Sequence, residues 1–153
     1  MIVVADEVRV PIAADTDIVA ARGQGRALAA RLGFSRTDAT LIATAISEIG
    51  RNILVHAGGR GEVSIAETAN GDLLGIEVVA RDQGPGIVDV ERALTEGYAT
   101  GTGLGLGLPG AKRLMDEFAI ETQVGRGTTV TMRKWRERDE LERLRESRFG
   151  GHA

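Results

Sequence analysis

The sequence predicts an α+β fold, a two-layer α/β sandwich in which a largely antiparallel sheet carries its helices on one face. Three observations lead there. Patterned segments follow the order β-α-α-β-β-α-α-β-β-α. Four of the five strands come in pairs separated by short glycine-containing turns, and strands joined that way are antiparallel neighbours. With 153 residues, no internal repeat and no linker-like stretch, the chain has room for one core rather than two.

The first strand is read over "EVRVPIA", 7–13, where apolar residues alternate. Pro11 has no N–H to give a ladder, which assigns this strand to an edge. A helix from Asp15 to Leu32 rests on Ile18, Val19, Leu28 and Leu32. Gly23 and Gly25 weaken it; they either let a neighbour pack close or simply loosen the helix. "GFS" closes it, and Ser35 caps the next, with Asp38 three residues on in an approximate capping box.

The second helix, 36–56, has the strongest pattern. Leu41, Ile42, Ala45, Ile46, Ile49 and Ile53 fall within about 140° of arc at roughly 100° per residue. "HAGGRG" ends it. "EVSIAET" and "LLGIEVVARD" then alternate on either side of "ANGD", a hairpin through Asn70-Gly71. After "DQGPG" come a weak helix over 89–96, the glycine run "GTGLGLGLPG" at 101–110, and a helix over "PGAKRLMDEF" with Pro109 in its first turn. "AIETQV", "GRG" and "TTVTMRKW" form the last hairpin, and "RERDELERLRES" a charged helix with little apolar face.

Composition narrows the function before any motif does. Charged residues at 27% and hydrophobic ones at 42% read as soluble and globular, and aromatics at 3% leave Leu, Ile, Val and Ala to fill the core. The absence of cysteine excludes disulfides, thiolate metal sites and Cys nucleophiles, and suits a reducing cytoplasm. No basic stretch followed by a long apolar run opens the chain, and no segment approaches the roughly 18 apolar residues of a membrane span. Neither secretion nor a membrane is therefore expected. A net charge of −3 with few aromatics argues against nucleic acid. His56 and His152 are too far apart in sequence to suggest a metal pair.

Three clusters could carry chemistry. The glycine run contains Gly105-x-Gly107-x-x-Gly110, but no buried strand precedes it as a dinucleotide fingerprint requires. What remains is a plain flexible loop or a backbone bare enough for a phosphate to approach. Glu48 and Asn52, in "EIGRN", lie one turn apart on the second helix at the border of its apolar stripe. There an amide oxygen can help bind Mg²⁺ and a carboxylate can take a proton; a solvated polar pair is the plainer reading. Asp82, in "DQGPG", ends a strand where its carboxylate could accept from an exocyclic amine such as adenine's, with glycines leaving room for a flat base. An ordinary Asp-containing turn has the same appearance.

The conjunction is more specific than its parts: ExxxN on a helix, DxGxG after a strand, GxGxG in a loop, then GxGT before a strand. In that order, over residues 7–135, the chain resembles the GHKL superfamily, whose ATP site is shared by gyrase, Hsp90, histidine kinases and the anti-sigma kinases. It is most similar to the anti-sigma-type serine/threonine kinases of the stressosome, through "DIVAARGQGRALAARLGF", "TAISEIGRNI", "DQGPGI", "GLGLGLPGAKRLMDEF" and "GTTVTMRKW".

The resemblance implies a Bergerat-type ATP-binding kinase domain over 1–135 and a charged helical extension over 136–153. It implies Mg²⁺ at Asn52, Glu48 as general base, and Asp82 on the adenine amine with Gly84 and Gly86 giving the base room. Thr128 would reach the adenine region through water. Gly103, Gly105 and Gly107 would present N–H groups to the phosphates at the start of the helix from Pro109, in a loop from about Gly97 to Leu108 that acts as a lid. Lys112 and Arg51 are the candidates to neutralise phosphate charge, with Arg51 expected at the surface. The implied partners are STAS-domain antagonist or scaffold proteins as substrates and a PP2C-type phosphatase as the target of the released kinase. An anti-sigma factor that binds a sigma factor directly, a non-catalytic ATP-binding module and a pure interaction domain are the rival readings.

Overall fold

A computed structural model describes residues 2–95, 107–137 and 144. It is built from β1 (Ile2–Ile12), α1 (Asp15–Arg31), α2 (Arg36–His56), β2 (Gly61–Asn70), β3 (Leu73–Asp82), α3 (Val90–Ala93), α4 (Gly107–Leu114), β4 (Glu117–Gln123) and β5 (Gly127–Glu137). The five strands form one sheet in the order β1-β2-β3-β5-β4, and all four described pairings are antiparallel. The α+β sandwich is the expected one, and the element order agrees across the described residues.

Strand pairing fixes which side chains share a face. Val63 stands opposite Ala80 and Val10, Ile65 opposite Val78 and Val8, and Met132 opposite Val78 and Phe118. These residues share the face that carries the helices; Val8 stays exposed, and the others, with Ile12, Ile42, Ile46, Ile49 and Ile53, build the core or pack against it. Fully burying each such aliphatic side chain contributes about 1.5–3 kcal/mol. The opposite face is polar. Arg133 there bridges Glu77 at 2.8 Å and Glu117 at 3.0 Å across three strands. The hydrogen bond from the Trp135 indole holds the Glu117 carboxyl below its ordinary range, against the cost of its slight burial, and Arg133 adds to the effect.

α2 runs over the predicted residues, and Ser35 Oγ accepts from Asp38 N at 3.0 Å as an N-cap should. Its buried surface is wider than the predicted stripe, because Ala39, Ala43 and Gly50 are also covered. Ile18 of α1 lies 3.3 Å from where a Gly50 Cβ would stand, so the glycine lets α1 and α2 pack closely side by side over the sheet. Of the two weak points in α1, Gly25 is the one that admits close packing: its Cβ would lie 2.1 Å from Ile46 Cδ1. Gly23 meets nothing within 4 Å.

Several boundaries depart from the sequence reading. β1 is an edge strand as Pro11 implied, but it begins at Ile2, five residues early. A register shift between Ala5 and Val8, with Asp6 at φ 54°, breaks the alternation that would have revealed residues 2–5. Because Asn70 pairs with Leu73, the hairpin turns on Gly71-Asp72 rather than Asn70-Gly71, with φ of 60° at Gly71. α3 keeps only Val90–Ala93 of the predicted 89–96.

α4 starts at Gly107, with Pro109 in the first turn, and stops at Leu114. Glu117 and Phe118 pair with Arg133 and Met132 and so belong to β4. β5 continues to Glu137, which moves the start of any helical extension past the predicted residue 136. The rest of that extension, Leu144 excepted, lies outside the described residues.

Two cations of β5 secure helix C-termini. Lys134 is 9% exposed and donates from Nζ to the Leu114 carbonyl at 2.9 Å, at the end of α4; Arg136 Nε donates to the Leu32 carbonyl at 2.7 Å, just past α1. Both answer carbonyls that a helix leaves unpaired and the negative end of its dipole. Lys134→Met keeps the stem and removes the donor. We expect it to cost about 1–3 kcal/mol, read from the denaturant midpoint, because a buried carbonyl loses its partner. An unchanged midpoint would mean that the carbonyl finds water instead.

Candidate functional site

Glu48 and Asn52 project from α2 one turn apart. Glu48 is only 8% exposed, and a buried carboxylate is costly unless its oxygens are bonded. Both are. Oε2 accepts from the Gly107 N–H at 2.9 Å, and Oε1 accepts from Arg51 Nη1 at 3.3 Å. Gly107 is the first residue of α4, where backbone N–H groups lack helical partners and the dipole is positive. Arg51 has a half-exposed side chain, near the surface as expected, but its tip reaches back to Glu48. Asn52 is half-buried, and its side-chain amide has no partner among the described residues.

Asp82 and Thr128 form the second half. They stand opposite each other in the β3–β5 ladder and therefore share the face that carries the helices. Asp82 Oδ1 accepts from the Gly84 N–H at 2.9 Å, which fixes the carboxylate and leaves Oδ2 without a partner among the described residues. Thr128 is buried, with its hydroxyl 2.9 Å from that of Thr122. Thr122 Oγ1 also accepts from Ile87 N at 2.9 Å and donates to the Gly127 carbonyl at 3.1 Å. Either hydroxyl of the Thr122–Thr128 pair can donate, and in both arrangements Thr128 keeps capacity for a further hydrogen bond.

The two halves meet along α2. A Cβ at Gly61 would lie 2.8 Å from Ile53 Cγ2 and 3.0 Å from Asp82 Cβ, so the end of β3 abuts α2 one residue beyond Asn52. The glycines of "DQGPG" serve close backbone packing. Gly84 lies against Ala57, just past α2, where its Cβ would be 2.8 Å from that of Ala57. Gly86, at φ 79°, lies against the Gln123 carbonyl, 2.5 Å from where its Cβ would be. Gly127 is held most tightly: at φ 131° its Cβ would come within 2.0 Å of the Asp82 carbonyl. That contact draws β5 against β3 beside the Asp82–Thr128 pair.

The structure thus joins Glu48, one turn from Asn52 on α2, to Gly107 at the start of α4, and groups Asp82, Gly84 and Thr128 where the end of β3 meets β5. Lys112 is exposed on α4 and contacts none of them. Gly103, Gly105 and residues 97–106 of the lid expected from Gly97 to Leu108 lie outside the described residues. Two contributors carried no usable sequence signal: Thr122, whose role depends on a turn 35 residues away, and Arg51's grip on Glu48. Chemically, the Asp82 group offers a fixed anion acceptor beside an available hydroxyl. The Glu48 group offers a buried carboxylate on a helix N-terminus and a free amide. No cluster of three or more His, Cys, Asp or Glu side chains able to hold a metal occurs among the described residues.

Comparison with known proteins bears on the family. Residues 12–134 match the family model described as "Histidine kinase-like ATPase domain". The chain is 46% identical over 130 residues to serine/threonine-protein kinase RsbT of Bacillus subtilis, covering 85% of this chain and 97% of that one. It is 32% identical over 114 residues to the anti-sigma F factor of Thermoanaerobacter, covering 71% and 78%. Among solved structures, the RsbU and RsbW domains of Rv1364c from Mycobacterium tuberculosis superpose with a TM-score of 0.59 at 22% identity. That likeness covers 86% of this chain and 33% of the larger one, and bears on the fold alone.

Proposed function

The chain belongs to the histidine kinase-like ATPase family, the GHKL superfamily, and on that footing we propose that it is a cytoplasmic serine/threonine protein kinase of a partner-switching pathway. Its substrate is a STAS-domain antagonist or scaffold protein, and the kinase released from that protein activates a PP2C-type phosphatase. The observation that carries the reading is the register pair Asp82–Thr128 beside the α2 turn bearing Glu48 and Asn52.

In this reading Asp82 Oδ2 accepts from the adenine amine and Thr128 reaches the base through water. Asn52 would help hold Mg²⁺, a hard ion that takes oxygen donors such as its amide oxygen. The ion, when bound, neutralises phosphate charge. The donor set fits it: an unpartnered amide oxygen lies one turn from a carboxylate. The N-terminus of α4, with Gly103 and Gly105 before it, receives the phosphates. Glu48 orients the substrate hydroxyl and takes its proton, and Lys112 is the solvent-side cation available to the phosphates.

The test is transfer of labelled phosphate from ATP to candidate STAS-domain proteins. Label on a seryl or threonyl residue of one of them is the expected result. No label on any, with ATP still bound, would reduce the protein to a nucleotide-binding module. The 32% identity to an anti-sigma F factor supports a second reading, direct capture of a sigma factor. Co-purification of a sigma factor without a STAS protein would favour it.

A further inference from the structure

Two groups with separate duties in the proposed kinase satisfy each other in this structure. The Glu48 carboxylate is the base, and the Gly107 N–H opens the helix that receives phosphate; between them runs a 2.9 Å hydrogen bond. A carboxylate on a helix N-terminus is placed as a phosphate would be, because both are anions answering the same unpaired donors. We infer that Glu48 is an internal anion seated where a nucleotide phosphate binds, so that the arriving phosphate displaces it and frees the base for its hydroxyl. This regulation rests on the kinase reading above.

The surroundings decide which partner moves. α4 is fixed at its far end by Lys134 on the Leu114 carbonyl and along its length by buried Leu108 and Ala111, with buried Met115 just past its end. The Glu48 side chain is the mobile member, and it has somewhere to go. Arg51 already touches its other oxygen at 3.3 Å and, being about half exposed, can follow it. A carboxylate that left Gly107 with no other donor would be stranded in a poorly solvated place; Arg51 and the substrate hydroxyl remove that obstacle. The consequence is an ordering. The base is engaged while the site lacks phosphate and becomes available once phosphate is present.

Displacement lowers the affinity for phosphorylated ligands and not for the nucleoside. The experiment is titration calorimetry of a nonhydrolysable ATP analogue and of adenosine against wild type, Glu48→Ala and Glu48→Asp. Aspartate keeps the charge but is one methylene too short to reach Gly107. We expect both variants to bind the analogue about fivefold or more tightly than wild type, roughly one net hydrogen bond, with adenosine unchanged in all three. If Glu48→Asp matches wild type and only Glu48→Ala tightens, charge repulsion alone explains the effect and the inference falls.

A measurement on wild type alone guards against a variant that folds poorly. Adding the analogue should shift the Glu48 carboxyl carbon resonance while the Gly107 amide stays protected from exchange; an unmoved resonance overturns the proposal. Should wild type bind neither analogue nor adenosine, the nucleotide reading itself fails. Adenosine binding without any effect of the variants condemns only the internal anion.

Discussion

An Asp82→Asn protein should lose adenine-nucleotide affinity by about 10- to 100-fold, the range expected when a hydrogen bond to a charged acceptor is removed. The structure gives a reason for the upper end. Gly84 N–H donates to Asp82 Oδ1 at 2.9 Å, so an asparagine must turn its carbonyl oxygen to Gly84. Its NH₂ group then faces the position proposed for the adenine amine, and donor meets donor. The loss is therefore more than a missing bond. Calorimetry with ATP and Mg²⁺, beside a thermal melt to show that the ladder with Thr128 is intact, measures it. Equal affinity in wild type and variant would remove Asp82 from base recognition.

Glu48→Gln should slow phosphate transfer by about 10²- to 10⁴-fold, the usual worth of a positioned general base, without weakening nucleotide binding. Glutamine has the same shape, and its amide oxygen can still accept from Gly107 N–H. Folding and the seat of α4 are preserved, while the group that takes the hydroxyl proton is gone. Single-turnover transfer to a seryl target separates this from slower product release. Transfer at the wild-type rate would assign Glu48 a structural role on α4 and leave the proton to solvent.

What the sequence made legible was what short-range physics determines. α2 was read to its ends because its apolar residues recur at helical spacing and Ser35 with Asp38 announces the cap. Asp82 and Asn52 stand out in the sequence as candidates because each ends or borders a patterned element. Contacts across long loops were not legible. Nothing in "EIGRN" says that Gly107, 59 positions later, donates to Glu48, nor in "AIETQV" that Thr122 ties Ile87 to Thr128. The end of α4 was misjudged for a related reason. "MDEF" has acceptable helical propensity, but the pairing of Glu117 and Phe118 with β5 decides their conformation. The glycines of "DQGPG" are expected from the sequence to leave room for a flat base, and those of "GRG" to make a turn. In the structure they are where backbones touch, at Ala57, Gln123 and Asp82.

The order β1-β2-β3-β5-β4 has a consequence for synthesis of the protein. Asp82 emerges from the ribosome 46 residues before Thr128, and its neighbour in the sheet is the last strand to appear. A nascent chain can fold the first hairpin and pack α1 and α2 on it, yet the β3 edge stays unpaired until β5 slides in between β3 and β4. The pairing of Asp82 with Thr128 thus waits until "GTTVTM" has been made, and a chain stopped short of it would lack that pairing.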